Sequence, residues 1–344
     1  MSVPTVTGVV GRAVSPVDGP VRVLPAEPGD SPLTTRVGFT VAPGETVLPG
    51  HYPGFPIFPG VCLVEVVHLG ALASAGSLPT ADAPADATAD APADGRLVLR
   101  QIESTRFTGP VFPGDELTAV LEWKRDDTGW RCRAKVRSQR GDAASVRLRY
   151  TAPGTEAGSE PDTAPGTAPG SAATEPAAAV ADQTEIRGRL PHRFPMLLVD
   201  RVLSVEPERS LVAHKAVSCN EPWYGAGSSG RAADPAADAT AFGYPGTLLV
   251  ESWCQSAGVL ATWESPNPDV LEGDVMLFGG MSGVEFHHPV LPGQVLEHRV
   301  RQERRVGETV MFEGESLVGG RTVMSVGRIT MAFRPARVLR PETS

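Results

Sequence analysis

The 344-residue chain carries the same two motifs twice, in the same order. The first motif is Pro59-Gly-Val-Cys-Leu-Val-Glu65, and its counterpart is Pro245-Gly-Thr-Leu-Leu-Val-Glu251. The second is Phe107-Thr-Gly-Pro-Val-Phe-Pro-Gly-Asp115, and its counterpart is Phe286-His-His-Pro-Val-Leu-Pro-Gly-Gln294. An ordered pair of matches indicates that one structural unit has been duplicated, so the two halves are expected to share a fold.

Segments of low complexity, rich in Ala, Pro, Gly and Asp, interrupt the sequence at three places. They are Gly76–Gly95, Ala152–Gln183 and Gly225–Ala241. Such segments bury too little apolar surface to offset the entropy lost on ordering them. The middle segment lies near the centre of the chain and is interpreted as a linker. The predicted organisation is an N-terminal domain at 1–151, a linker at 152–183 and a C-terminal domain at 184–337.

In each half, a predicted buried helix is followed by predicted strands. A Pro-Gly pair, typical of a helix start, precedes apolar stretches at Val61–Ala75 and Thr247–Trp263. Both stretches are apolar on nearly all sides, which predicts buried helices. The segments that follow alternate between apolar and polar residues, as antiparallel strands do. They are Glu116–Lys124, Trp130–Ser138, Ala144–Thr151, Val295–Glu303, Thr309–Leu317 and Thr322–Phe333. The fold class is therefore α+β, with a sheet wrapped around a helix in each half.

Charge and cysteine content exclude several classes of protein. The formal net charge of −9 argues against a nucleic-acid binder, which would need clustered basic residues. The four cysteines are far apart and form no CxxC pair, so neither a zinc site nor a disulfide framework is expected. The longest apolar run, Gly60–Ala75, contains Glu65 and His68 and is expected to be too short to span a bilayer. A soluble, cytoplasmic protein is expected.

The first candidate for chemistry is His51. Three prolines and two glycines restrict the segment from Tyr52 to Gly60, so the imidazole is held in a fixed place. That segment ends where a helix begins, and the free N–H groups of a helix N-terminus favour negative charge. His51 is therefore a candidate base beside an oxyanion site. A turn histidine without a function is the alternative.

Two glutamates are the next candidates. Glu65 and Glu251 each lie five residues after a helix-opening glycine, within an apolar run. Burying a carboxylate is costly unless it has a partner or an altered pKa. Each is therefore a candidate general acid. The alternative is a carboxylate that binds nearby backbone or reaches solvent at the helix edge.

These residues together resemble a known family. The run His51-Tyr-Pro-Gly-x-Pro-x-x-Pro-Gly-Val-x-x-x-Glu65 resembles the active-site signature of hotdog-fold 3-hydroxyacyl-[acyl-carrier-protein] dehydratases, in the branch with glutamate as the acid. Leu190–Val202 and Asn220–Trp223 resemble the N-terminal segment of the same family, and Phe-x-x-Pro-Val-x-Pro-Gly resembles its strand motif. The resemblance covers nearly all of both halves outside the low-complexity segments.

The resemblance implies a double hotdog, with two antiparallel sheets each wrapped around a long buried central helix. In the family each site takes its histidine from one unit and its acid from the other. The second half has no histidine where His51 would match, so Glu65 marks a degenerate second site. The partner of His51 is then Glu251. Gln255 follows Glu251 by four residues, as the family pattern has it, whereas Leu69 follows Glu65.

The implied reaction removes water from a 3-hydroxyacyl thioester to give a trans-2-enoyl thioester. His51 would take the α-proton, the backbone N–H of Gly60 would meet the thioester oxygen, and Glu251 would protonate the leaving hydroxyl. Gln255 would hold Glu251. The residues expected to contact the acyl chain are Tyr52, Phe55 and Val61. His192 is interpreted as structural. The reaction needs no metal or redox cofactor.

The implied partner is an acyl carrier protein with a phosphopantetheine-linked substrate, in fatty acid or polyketide-type biosynthesis. Neither nucleic acid nor membrane is expected as a partner. The fused halves form a pseudo-dimer, and the sequence leaves open whether the chain oligomerises further. Three alternatives share the fold: an acyl thioesterase, an enoyl hydratase and a non-catalytic partner subunit.

Overall fold

A single continuous sheet forms the frame of the protein. The computed structural model describes residues 9–10, 14–78, 97–151, 179–225, 242–271 and 273–335. Within them the sheet has 13 strands in the order β1-β2-β3-β5-β6-β7-β4-β10-β13-β12-β11-β9-β8, all paired antiparallel. The strands of the first half are β1 Val9–Val10, β2 Val21–Leu24, β3 Thr34–Thr40, β4 Val98–Phe107, β5 Glu116–Asp126, β6 Gly129–Ser138 and β7 Gly141–Thr151.

The second half repeats this strand order. Its strands are β8 Arg201–Glu206, β9 Ser210–Ala216, β10 Asp274–Phe286, β11 Val295–Val306, β12 Thr309–Val318 and β13 Arg321–Pro335. The order β3-β5-β6-β7-β4 of the first half corresponds to β9-β11-β12-β13-β10 of the second. The duplication in the sequence is therefore a duplication of topology. The two sheets expected from the sequence are continuous, because β4 pairs with β10 across the pseudo-twofold axis.

A long helix lies inside the curve of each half-sheet. The helices are α1 Leu48–His51, α2 Gly60–Ser74, α3 Gln183–Arg187 and α4 Gly246–Ala261. The long helix α2 contacts strands of the first half, α4 contacts strands of the second, and the two helices contact each other. Of the 15 residues of α2, 12 are buried, as an all-apolar helix requires. The predicted fold class, an α+β double hotdog, is confirmed.

The start of each long helix is fixed by the same contact. Gly60 and Gly246 are the first residues of α2 and α4. A Cβ atom on Gly60 would lie 2.9 Å from the ring of Phe107, and one on Gly246 would lie 3.0 Å from the ring of Phe286. Only glycine leaves room for these rings, so the two motifs of each repeat meet in space.

The predicted strands agree with β5, β6, β7, β11, β12 and β13 to within a few residues at each end. The alternation of residues does not predict the other seven strands, β1, β2, β3, β4, β8, β9 and β10. The predicted domain boundaries stay a prediction, since residues 152–178 of the linker lie outside the described part. Within the described part of that segment, the backbone N–H of Val180 donates to the carbonyl of Val202.

One segment, Gly60–Ser77, is long and apolar enough by composition to cross a membrane. The expectation that this run is too short is therefore corrected. Two-thirds of the segment, 67%, is nevertheless buried inside the fold. The segment is the core helix α2 with the turn that follows it, so its apolar surface is covered by the sheet rather than by lipid.

Candidate active site

A cavity of about 350 Å³ lies between the two halves. From the first half, His51, Tyr52 and Gly60 line it, and from the second half Glu251 and Gln255. The structure therefore brings together the predicted base, the predicted oxyanion donor and the predicted acid with its glutamine. Two sheet halves and both long helices contribute, so neither half alone contains this site.

Two contacts hold the imidazole of His51, and a third holds the ring on which it stacks. Its Nδ1 lies 3.0 Å from the carbonyl oxygen of Ile57, which can only accept, so Nδ1 carries the proton and Nε2 keeps a lone pair. The ring stacks on Tyr52 with centroids 4.4 Å apart and planes 1° apart. The hydroxyl of Tyr52 donates to the carbonyl of Met276 in β10, at 2.8 Å. A strand of the second half thus fixes the ring that supports the histidine of the first.

Glu251 is held from one side by Gln255. The Nε2 of Gln255 donates to Oε1 of Glu251 at 2.9 Å, and also to the carbonyl of Met196. The Oε1 of Gln255 accepts from the backbone N–H of Leu198 at 2.8 Å. Because that backbone group can only donate, the amide has one orientation, with its NH₂ group towards Glu251. The segment Leu190–Val202 therefore has the role of positioning the glutamine.

Burial favours the uncharged form of both reacting groups. Removal from bulk water lowers the pKa of His51 to about 4, although its bond to Ile57 opposes the shift. The same desolvation raises the pKa of Glu251 to about 7, although the bond from Gln255 opposes it. A neutral imidazole can accept a proton, and a protonated carboxyl can donate one.

Two predicted substrate contacts lie elsewhere. Of the described residues, those that line the cavity do not include Phe55 or Val61. Val61, on α2, is 1% exposed and packs within the main core. Phe55 packs in a separate apolar cluster, with its ring 6.0 Å from that of Phe112. Neither side chain therefore lines this cavity.

Glu65 occupies the equivalent position in α2 but has other surroundings. It is 1% exposed and accepts hydrogen bonds from Thr247 at 2.8 Å and from Ser15 at 3.3 Å. Thr247 is the second residue of α4, the counterpart of Val61. The segment that stands where a second histidine would match, Gly225–Ala241, falls outside the described residues apart from Gly225 itself. Hydroxyl groups, not an imidazole, face this carboxylate among the described residues.

His192, which the sequence led us to interpret as structural, lies at the site. It lines the same cavity, with Nε2 3.5 Å from Oε1 of Glu251 and its ring centroid 5.4 Å from that of His51. Burial lowers its pKa well below the ordinary value, so the ring is neutral. The signal available in the sequence was its place in the Leu190–Val202 segment, which by itself does not say which side chain points to the cavity.

The turn that carries His51 is pressed against the segment that carries His192. The backbone N–H of Arg193 donates to the carbonyl of Gly50 at 2.8 Å. A Cβ atom on Gly50 would lie 2.7 Å from the backbone N of Met196 and still closer to the carbonyl oxygen of Arg193. No side chain can be added there unless one backbone moves.

Gly50→Ala is therefore expected to lower the free energy of unfolding by about 1–3 kcal/mol, because overpacking forces backbone shifts. It should also lower kcat/KM by up to about 10²-fold, because a displacement near 1 Å misaligns the reacting groups. Denaturant unfolding and steady-state kinetics measure the two effects. Gly44→Ala is the matched control, since nothing lies within 4 Å of its added Cβ. Equal behaviour of the two variants would contradict the packing described.

Comparison with known proteins agrees with this geometry. Residues 190–327 match the profile of the FabA-like domain, and residues 30–147 match that of the ApeI dehydratase. The 3-hydroxyacyl-[acyl-carrier-protein] dehydratase FabZ of Campylobacter concisus is 35% identical over 139 residues, which are 40% of this chain and 87% of that protein.

Two solved structures share the whole architecture. The dehydratase domain of PpsC from Mycobacterium tuberculosis, in complex with C12:1-CoA, has a TM-score of 0.57 at 14% identity and covers 94% of this chain and 99% of that one. The dehydratase domain from the CurJ module of curacin polyketide synthase has a TM-score of 0.58 at 12% identity, covering 96% and 100%. These two likenesses show the fold, and the FabZ relative shows the family: the chain belongs to the FabZ family of 3-hydroxyacyl-[acyl-carrier-protein] dehydratases.

Proposed function

We propose that this protein is a hydro-lyase that removes water from a 3-hydroxyacyl thioester and leaves a trans-2-enoyl thioester. The observation that carries the proposal is the single cavity that holds His51 of one half and Glu251 of the other. One group must take a proton from the α-carbon while another gives a proton to the β-hydroxyl. A neutral imidazole and a neutral carboxyl on the same cavity meet both needs.

In the proposed reaction Nε2 of His51 removes the α-proton. Nδ1 cannot do so, because its proton is held by the carbonyl of Ile57. Glu251 then delivers its proton to the departing hydroxyl, which leaves as water. Gln255 keeps the carboxyl oriented through a bond that persists when the group becomes a carboxylate. Each positioned group of this kind contributes about 10²–10⁴-fold in rate.

Negative charge develops on the thioester oxygen as the α-proton leaves. Gly60 is the first residue of α2, so its N–H has no acceptor within the helix and lies at the positive end of the helix dipole. Gly60 also lines the cavity. We assign this N–H the role of oxyanion donor, which is worth about 3–4 kcal/mol in comparable sites.

The relatives point to the carrier and the pathway. The FabZ relative is named for a substrate on acyl carrier protein, and one of the two solved neighbours is a dehydratase domain of curacin polyketide synthase. The proposed substrate is accordingly a phosphopantetheine-linked 3-hydroxyacyl group on a carrier protein, in fatty acid or polyketide-type biosynthesis. A cytoplasmic location and the further oligomeric state stay predictions.

The direct test is incubation of the full chain with a 3-hydroxyacyl carrier protein, followed by mass spectrometry of the carrier. Dehydration lowers the mass of the acyl group by one water, whereas a thioesterase would release the acyl group and leave a free thiol. The reverse activity, enoyl hydration, is measured from the enoyl carrier protein. An unchanged carrier in both directions would identify a non-catalytic subunit and overturn the proposal.

The pH dependence follows from the two pKa values. His51 acts as a base only above its pKa of about 4, and Glu251 acts as an acid only below its pKa of about 7. We therefore expect kcat/KM to be level between these values and to fall about tenfold per pH unit above pH 7. Initial rates from pH 4 to 9 measure this, with circular dichroism to show that the fold persists. A rate that rises from pH 7 to pH 9 would contradict the assignment of Glu251 as the acid.

A further inference from the structure

One buried side chain on the cavity is not used by the proposed reaction. His192 is 6% exposed, and among the described residues its Nδ1 has no hydrogen-bond partner. The ring stands beside both reacting groups rather than behind them. Placing a second imidazole there costs desolvation, because its Nδ1 gains no compensating hydrogen bond.

The three side chains form a set of ligand atoms. One nitrogen of His51, one nitrogen of His192 and one carboxylate oxygen of Glu251 all lie within 4.8 Å of one another. In a tetrahedral zinc site with bonds near 2.1 Å the ligand atoms stand about 3.4 Å apart. The Nε2 of His192 and Oε1 of Glu251 already stand 3.5 Å apart. The separation of any pair would have to shorten by at most about 1.4 Å to reach that geometry.

The types of ligand atom indicate which class of metal ion would bind. Two neutral imidazoles and one carboxylate suit Zn²⁺ and its first-row neighbours, whereas Mg²⁺ and Ca²⁺ prefer oxygen ligands alone. The Nδ1–H of His51 is already held by the carbonyl of Ile57, which is the usual way a protein orients a metal-binding imidazole. Three protein ligands leave a fourth position, where water can complete the shell.

We propose that His51, His192 and Glu251 bind a divalent transition-metal ion, Zn²⁺ above all, and that the bound ion switches the site off. The ion occupies the lone pair of His51 and the carboxylate of Glu251, so neither group can take or give a proton. Metal binding does not depend on the proposed function. The loss of activity does rest on it, because the same two groups are the proposed base and acid.

Binding is tested by calorimetric titration of the full chain with ZnCl₂, without substrate. The protein carries Cys219→Ser, because Cys219 is an exposed free thiol that would bind zinc on its own. We expect one equivalent bound at this site. Each of His51→Ala, His192→Ala and Glu251→Gln should weaken binding at least about tenfold, since even outer-shell changes cost 10–100-fold. His214→Ala is the control, because His214 lies near a carboxylate, that of Glu297, but away from the cavity.

Cobalt gives a second readout that does not depend on how well each variant folds. Co²⁺ bound in the parent protein should give the visible bands of a four- or five-coordinate ion with nitrogen and oxygen ligands. A thiolate charge-transfer band would instead place the ion on Cys254, which also lines the cavity, and would overturn the ligand set proposed. Unchanged zinc affinity in all three ligand variants, or loss only in the His214 control, would overturn it as well.

Activity separates this inference from the proposed function. Added Zn²⁺ should abolish dehydration at one equivalent per chain, and a chelator should restore it. If the protein binds zinc as described but never dehydrates a 3-hydroxyacyl carrier protein, the proposed function fails and the metal site stands. If it dehydrates the substrate but zinc at one equivalent neither binds nor inhibits, the metal site fails and the function stands.

Discussion

Replacing Glu251 by glutamine should lower kcat for dehydration by about 10²–10⁴-fold, while Glu65→Gln leaves kcat within a factor of a few of the parent. Glutamine has the shape of glutamate and can still accept the bond from Gln255, but its amide is too weak an acid to protonate the leaving hydroxyl. Both glutamates lie at the same position of their helices and both are buried. The pair is therefore a matched comparison in which only the surroundings differ.

Initial rates with a 3-hydroxyacyl carrier protein measure both variants. The difference between them arises because Glu251 lines the cavity with His51, whereas Glu65 is bonded by the hydroxyls of Thr247 and Ser15. Thermal unfolding of each variant shows whether a loss of rate is a loss of fold. If Glu65→Gln abolished the reaction and Glu251→Gln did not, the site would lie on the other side of the pseudo-twofold axis.

The second large effect is expected at His51. His51→Ala should lower kcat by about 10²–10⁴-fold, because the positioned base for the α-proton is removed. Addition of imidazole to the variant should restore part of the rate, since the ring of Tyr52 and the carbonyl of Ile57 remain to hold it. Added imidazole does not restore the rate of a variant that has lost its fold.

His214→Ala, a partly exposed histidine of β9, is the control for this experiment, and we expect it to keep the parent rate. The dependence on imidazole concentration should saturate, as it does when a small molecule occupies a defined cavity. Full activity of His51→Ala without imidazole would remove His51 from the mechanism and leave His192 as the alternative base.

The sequence predicted the helices that follow the repeated Pro-Gly motif and the strands in which apolar and polar residues alternate. Both central helices and the six alternating strands were found because apolar periodicity and the Pro-Gly starts are local signals. Strands β4 and β10 were missed. They pair with each other at the seam between the halves. Most residues of β4, Val98–Phe107, are half-buried, so buried and exposed side chains do not alternate along this strand.

The sequence predicted the reacting residues of the site, but it did not predict the contacts that orient them. His51, Gly60, Glu251 and Gln255 were named from motif and spacing, and the structure brings them to one cavity. What the sequence did not show is what orients them. The hydrogen bond between Leu198 and Gln255 joins residues 57 positions apart in the sequence. The hydrogen bond between Tyr52 and Met276 joins residues 224 positions apart. Contacts at such separations carry no local pattern, and the same holds for His192.

The two halves that pair through β4 and β10 belong to one chain, and this affects how the enzyme behaves on dilution. A site shared between two separate subunits is lost when they dissociate, so its activity per molecule falls at low concentration by mass action. Here the histidine and the glutamate belong to one polypeptide, and the effective concentration of one half around the other does not change with the amount of protein. A scarce enzyme in a cell can therefore keep its full specific activity without an assembly step.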